Sequence, residues 1–166
     1  MKPVILVGIL GLAAFSAAGT AFAGDPGDQI ERGRYLVSVS GCNDCHTPGY
    51  PESGGSLPES DWLVGSPVGF QGPWGTTYPT NLRLLMASRS ESQWLEQART
   101  AARPPMPWFS LRNMTDADLK AIYAFVRDLG AKGEPAPGYV PPGQAVLTPF
   151  FEFTPKQPGE HLHAAR

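Results

Sequence analysis

Cys42-Asn43-Asp44-Cys45-His46 is a C-x-x-C-H run, and its residue types and spacing suit one kind of chemistry. Two thiols three positions apart can reach the two vinyl groups of one porphyrin and form thioethers. The histidine directly after the second cysteine then offers its imidazole to the iron. The motif therefore predicts one covalently bound haem c, with Cys42 and Cys45 as the attachment points and His46 as an axial ligand. Both cysteines of the chain lie in it, so none is left for a disulfide framework or a second cluster. A thioredoxin-like dithiol needs a βαβ context, which the flanking sequence does not offer. A zinc site needs four ligands, and the only other histidines, His161 and His163, sit in the last six residues. An unattached thiol pair or a metal site is the alternative reading.

Histidine alone leaves the sixth iron position open, and what fills it separates an electron carrier from a reactive or gas-binding haem. Met86 follows an apolar run, and Met114 comes just before a helical segment under which it could pack. Met106 lies in Arg103-Pro104-Pro105-Met106-Pro107-Trp108. Prolines restrict that stretch, and a preordered loop lowers the entropy cost of holding a weakly bonding thioether. Met106 is the favoured candidate from the residues alone, with Met114, His161 and His163 open and a gap-filling core methionine as the plain alternative.

A third group of candidates lies in Gly69 to Arg83, where tight turns alternate with aromatics and side-chain donors. Glycine lets backbone approach a flat ring closely. Trp74, Tyr78, Asn81 and Arg83 are candidates to pack on the haem or to hydrogen-bond its propionates. The alternative is a loop whose Trp and Tyr fill core.

The elements that must position these residues are few. The first, from about Gly27 to His46, reads as helical at its start, with Asp28 as cap and Ile30, Tyr35, Leu36 and Val39 apolar. Gly33 inside it is either tolerated or marks a close helix crossing, and the crossing is the reading adopted. From Thr47 to Met86 periodicity is weak and Gly and Pro are dense. Ser90 to Ala102 reads as a short helix capped by Ser90 and ended by Arg103-Pro104-Pro105. Thr115 to Leu129 is the clearest helix: Thr115 and Asp118 resemble a capping box, Leu119, Ile122, Tyr123, Val126 and Leu129 form one stripe, and Gly130 supplies the stop. Residues 131–166 hold seven prolines. Phe150, Phe151 and Phe153 are too apolar for a free linker and are expected to dock, with Gly159 to Arg166 mobile at the end.

The N-terminus has a short positive region at Lys2, an apolar run from Val4 to Leu12 and Ala21-Phe22-Ala23 before Gly24. This reads as an export signal over residues 1–23, and covalent haem attachment by this motif takes place outside the bacterial cytoplasm. An uncleaved anchor is the alternative, since residues 3–24 carry no charge and barely reach the ~20 residues of a membrane span. The expected organisation is thus a signal peptide (1–23), a haem domain (24–130) and a proline-rich C-terminal extension (131–166), partly docked. The formal net charge is −2 and no basic stripe exists, which argues against nucleic acid as a partner. With 19 glycines and 18 prolines, long stretches should be irregular but ordered around a large rigid apolar group.

The order helix, C-x-x-C-H, glycine-rich loop, short helix, Met-Pro and then Thr115-Asp116-Ala117-Asp118-Leu119 leading the last helix resembles the class I cytochrome c domain over roughly residues 27–130. The resemblance implies a mainly α fold, with three to five short helices and long Gly/Pro-rich loops packed around one haem. It implies that the methionine before proline is the second axial ligand, which maps onto Met106 alone. It also implies that the first and last helices cross, with Gly33 and Tyr35 near Tyr123. More narrowly, Gly72-Pro73-Trp74-Gly75-Thr76-Thr77-Tyr78-Pro79-Thr80-Asn81-Leu82 together with Pro104-Pro105-Met106-Pro107-Trp108 is similar to the haem domains of cytochromes found with periplasmic alcohol and aldehyde dehydrogenases. Their multi-haem subunits carry three such units, whereas this chain has one motif.

The function this implies is a soluble, non-enzymatic periplasmic electron carrier. It would dock transiently with redox partners, a dehydrogenase as donor and an oxidase or another cytochrome as acceptor, and would meet the membrane only if the N-terminal segment is uncleaved. The contrasting class is a haem enzyme or gas sensor of peroxidase-like type. That reading needs an open or labile sixth position and a distal polar residue, for which Arg103 is the candidate. A structural protein with an incidental haem is a third possibility.

Overall fold

The computed structural model describes residues 25–157; the proposed signal segment, Gly24, His161 and His163 lie outside them. Two helices form the frame. Helix α1 (Pro26–Val39) starts on Asp25, whose carboxylate accepts from the Gly27 N–H, with Pro26 in the first turn. Asp25 therefore takes the cap expected of Asp28: proline, with φ fixed and no N–H to satisfy, is suited to the position just after the cap. Short α2 (Cys42–His46) follows. Helix α6 (Asp116–Asp128) is capped by Thr115 and buries Leu119, Ala121, Ile122, Phe125 and Val126. It ends at Gly130, whose φ is +73°.

Helices α1 and α6 cross at Gly33. A Cβ there would lie 2.0 Å from the Ala121 carbonyl oxygen and 2.7 Å from the Phe125 Cβ, so the crossing requires glycine. The partners differ from those expected. Gly33 meets Ala121 and Phe125, Tyr35 faces solvent, and the Tyr123 hydroxyl donates to the Arg89 carbonyl. Residues one turn apart share a helix face, and it is the 121/125 row that faces α1.

Helices α3 (Leu82–Ala87), α4 (Glu91–Ala98) and α5 (Trp108–Asn113) fill the sides. Ser90 caps α4 in a full capping box with Gln93, and buried Trp94 donates its indole N–H to the Leu119 carbonyl at 2.8 Å. Helix α4 stops at Ala98, four residues short of its predicted end, and the helix now lies well clear of the prolines. Helix α3 begins inside the weakly periodic stretch, and α5 falls where the sequence reading assigns no element. Asn81 explains the first, capping it by accepting from the Leu84 N–H at 3.0 Å. The described residues thus hold six α-helices and one 3-10 turn (Glu59–Asp61).

A small sheet was not predicted. Strands β1 (Gly69–Gly72) and β2 (Gly75–Thr77) form a hairpin with Phe70 opposite Thr77. Strand β3 (Phe150–Glu152), from the proline-rich extension, pairs parallel to β1 with Phe70 beside Phe151. The Phe151 and Phe153 rings lie 5.7 and 5.5 Å from that of Phe70. No helix among the described residues is long and apolar enough to cross a membrane.

Candidate functional site

Helix α2 is a single tight turn of five residues carrying the whole C-x-x-C-H run. Gly41 opens it in the left-handed region, at φ +69°. Because the helix repeats every 3.6 residues, Cys42, Cys45 and His46 fall on one face. The cysteines carry free thiols and are half-buried. Burial pushes the Cys42 thiol up to about 11, and burial first, then Asp44, also raises Cys45. With no group bound, both thiols are therefore protonated at neutral pH. Among the described residues no cluster of three or more His, Cys, Asp or Glu side chains could hold a metal ion by itself.

His46 is buried, and its Nδ1 lies 2.7 Å from the Thr80 carbonyl oxygen. A carbonyl only accepts, so Nδ1 must carry the proton. Burial lowers the pKa of the ring, outweighing the opposing effect of Thr80. The neutral ring therefore presents an unprotonated Nε2 lone pair, which is the nitrogen and the tautomer an iron needs. With two free thiols on the same helical face, this donor set fits a covalently held haem: Cys42 and Cys45 would attach the ring and His46 would ligate iron through Nε2.

A buried network fixes the helix from below. The Thr47 hydroxyl accepts from the Leu63 N–H at 2.8 Å and donates to the Asn43 Oδ1 at 2.7 Å. Gly65 N–H donates to the His46 carbonyl at 2.8 Å. Gly65 has φ +78° and no room for a Cβ, which would meet the Asn81 nitrogen at 2.7 Å. The segments before and after the hairpin are thereby drawn together, and this brings the Thr80 carbonyl to His46.

The methionines separate by environment. Met86 is fully buried in the core, and Met114 packs against that core. Met106 is half-buried in the loop between α4 and α5 and is not among the residues packed on the core. Its carbonyl accepts from the Trp108 N–H at 2.9 Å, and the neighbouring Pro104 carbonyl accepts from the Thr77 hydroxyl at 2.8 Å. Arg103, the candidate distal polar residue, is exposed and lies over the Tyr139 ring at 4.1 Å.

The four loop candidates direct their hydrogen bonds into the protein. Trp74 donates to the Phe70 carbonyl at 3.3 Å, and the Tyr78 hydroxyl pairs with that of Thr148 at 2.7 Å. Asn81 donates to the Lys132 and Glu134 carbonyls at 2.8 and 3.1 Å. Buried Arg83 donates to the Gly130 and Ser60 carbonyls at 2.6 and 2.9 Å and to that of Leu129. Asn81 and Arg83 thus hold the chain after α6 against the start of α3. The residues the sequence did not single out are Thr47 and Thr80. A threonine after the motif is a weak signal for the first, and a main-chain acceptor leaves no side-chain signature for the second.

A family model described as cytochrome c matches residues 30–130. Relatives include the fructose dehydrogenase cytochrome subunit of Gluconobacter japonicus, 29% identical over 58% of this chain and 20% of its own length. The alcohol dehydrogenase (quinone) cytochrome c subunit of Gluconobacter oxydans is 31% identical over 72% of this chain and 25% of its own. The gluconate 2-dehydrogenase cytochrome c subunit of Pantoea cypripedii is 29% identical over 75% and 28%. The chain thus spans between a fifth and under a third of the length of these relatives. No solved structure matches it. With one C-x-x-C-H helix, a proximal histidine held in the iron-binding tautomer and a matching family model over most of the described residues, the chain belongs to the cytochrome c family and carries one covalently bound haem c.

Proposed function

We propose that this protein is a periplasmic one-electron carrier with His46 and Met106 as the axial ligands of its haem iron. The observation that carries the reading is the 2.7 Å contact between His46 Nδ1 and the Thr80 carbonyl, which leaves Nε2 as a lone pair on the same helical face as two free thiols. Haem c supplies a ferric–ferrous couple when bound. His46 and Met106 would both hold the iron, so that the chain would exchange no ligand as the haem changes oxidation state. His46 is oriented by the buried network around Thr47, and Met106 is offered by a loop in which Pro104, Pro105 and Pro107 restrict backbone motion. A neutral thioether favours ferrous iron and raises the potential relative to two histidines.

The relatives' own names support a dehydrogenase as electron donor; a terminal oxidase or a further cytochrome is the proposed acceptor. Contacts with both would be small and transient. Residues 1–23 would direct export, residues 24–130 form the haem domain, and residues 131–166 form an extension to it. Trp74, Tyr78, Asn81 and Arg83 remain the candidates to pack on the ring or to hydrogen-bond its propionates.

Optical spectroscopy of haem-loaded protein tests the reading. The ferric wild type should show the weak far-red band of sulfur-to-iron ligation, Met106→Ala should lose it, and the reduced wild type should bind carbon monoxide only negligibly. A wild type lacking the band, high-spin, and binding carbon monoxide rapidly would replace the carrier with a haem enzyme or gas sensor.

A further inference from the structure

Arg99, at the end of α4, ties the base of the Met106 loop to the helices through the Leu111 and Met114 carbonyls and Asp116, whereas the middle of the loop has few holds. Pro104, Pro105 and Pro107 lack N–H groups, and the loop's carbonyls receive the Thr77 hydroxyl on Pro104 and the local Trp108 N–H on Met106. Among the described residues a further long-range hold on this middle part is made by Arg103, whose guanidinium sits over the Tyr139 ring. Tyr139 belongs to the C-terminal extension and is itself fixed. Its hydroxyl donates to the Trp74 carbonyl at 2.7 Å. The next residue, Val140, exchanges two main-chain hydrogen bonds with Thr76, at 2.8 and 3.0 Å. Gly75 makes this approach possible: a Cβ there would lie 2.4 Å from the Val140 carbonyl oxygen and 3.0 Å from the Tyr139 ring. Extension, hairpin and Met106 loop therefore meet over Gly75–Thr77, and the extension is anchored again where Phe151 and Phe153 close on Phe70.

We propose that the C-terminal extension is a strap that positions the Met106 loop, with Tyr139 as the positioning residue acting through Arg103. The proposal rests on Met106 being the sixth ligand. A thioether bonds iron weakly, so the fraction of molecules with Met106 released depends on how well its loop is preordered. External ligands bind that released fraction, and their apparent affinity rises in proportion to it. The strap therefore sets how readily the sixth position can be invaded, without touching the iron.

The test is an imidazole titration of the full-length ferric holoprotein, far below its unfolding temperature. A cation over an exposed aromatic ring contributes enough to shift the equilibrium about two- to five-fold, and Tyr139→Ala should raise imidazole affinity by that factor. Tyr139→Phe keeps the ring under Arg103 and should restore most of the wild-type value. Arg103→Gln removes the same contact from the loop side, on an exposed residue, and should match Tyr139→Ala; the double variant should rise no further. Wild-type affinity in both Tyr139→Ala and Arg103→Gln, or fully additive effects in the double variant, would overturn the strap. Met106→Ala is run alongside for its far-red band. If it loses the band while the strap variants behave as wild type, only the strap fails; if it keeps the band, the ligand assignment fails and the strap with it.

Discussion

His46 stands in a five-residue helix with Asn43 and Thr47 almost fully buried beside it, whereas Met106 stands in a surface loop with Arg103, Pro104 and Pro107 exposed around it. The first site is built from the core outward: Thr47, Leu63, Gly65 and Thr80 are all tied to one another or to the helix. The second is held from outside, by Thr77 of the hairpin and Tyr139 of the extension. Core packing over-determines a position because many groups must move together; a loop fixed at its base by Arg99 and held along its exposed middle by single contacts is less constrained. The histidine side should therefore fail only when the fold fails, while the methionine side can loosen in an otherwise intact protein.

The most severe way to break this contrast is at the helix crossing. Gly33→Ala places a methyl 2.0 Å from the Ala121 carbonyl, and the forced separation of α1 and α6 should cost about 3 kcal/mol, the upper range for overpacking. Denaturant unfolding should show a large fall in the midpoint, and a wild-type midpoint would mean that the helices do not meet there.

A smaller change sharpens the contrast. Thr47→Val keeps the shape but leaves the Leu63 N–H and Asn43 Oδ1 without their buried partner, at a cost of about 1–3 kcal/mol. Stability should drop while the native protein keeps its far-red band. Loss of the band at unchanged stability would reverse the roles assigned to the two regions.

The smallest effect is at the outer end of the α1–α6 pair. The Arg32 guanidinium, 2.9 Å from Asp118, holds that carboxyl below its ordinary value, with Thr115 adding to the effect. The folded pKa is the lower one, so this stabilisation is present above the ordinary carboxylate value of 3.8 and is lost as pH falls through the depressed folded value. The pair is half-exposed on the arginine side, which limits it to less than about 1 kcal/mol. Unfolding measured across the acid range should be flatter in Asp118→Asn than in wild type, with sixth-position ligation unaffected in both.

The legibility of these regions in the sequence follows the same division. The C-x-x-C-H turn, the stripe of α6, the Ser90 and Thr115 caps and the meaning of Gly33 are local patterns, readable because a helix couples residues three and four apart. The orienting Thr80 carbonyl is not readable, since it is a main-chain atom 34 residues from His46. Strand β3 pairs with the hairpin from far along the chain, and no periodicity within four- and three-residue strands announces either. Chemical type marks Asn81 and Arg83 as donors; that their bonds here go to the Lys132, Glu134, Gly130 and Ser60 carbonyls depends on where the chain returns, which residue type does not encode.

Met106, offered by a loop, is the proposed sixth ligand, in preference to Met86 in the core and Met114 packed against it. The most direct measurement is an NMR spectrum of the reduced holoprotein with isotope-labelled methionine methyl groups. One methyl should be displaced far upfield by the haem ring current, and that signal should vanish in Met106→Ala while the Met86 and Met114 signals stay in the ordinary range. A displaced methyl that survives in Met106→Ala, or the absence of any displaced methyl in the wild type, would contradict the account.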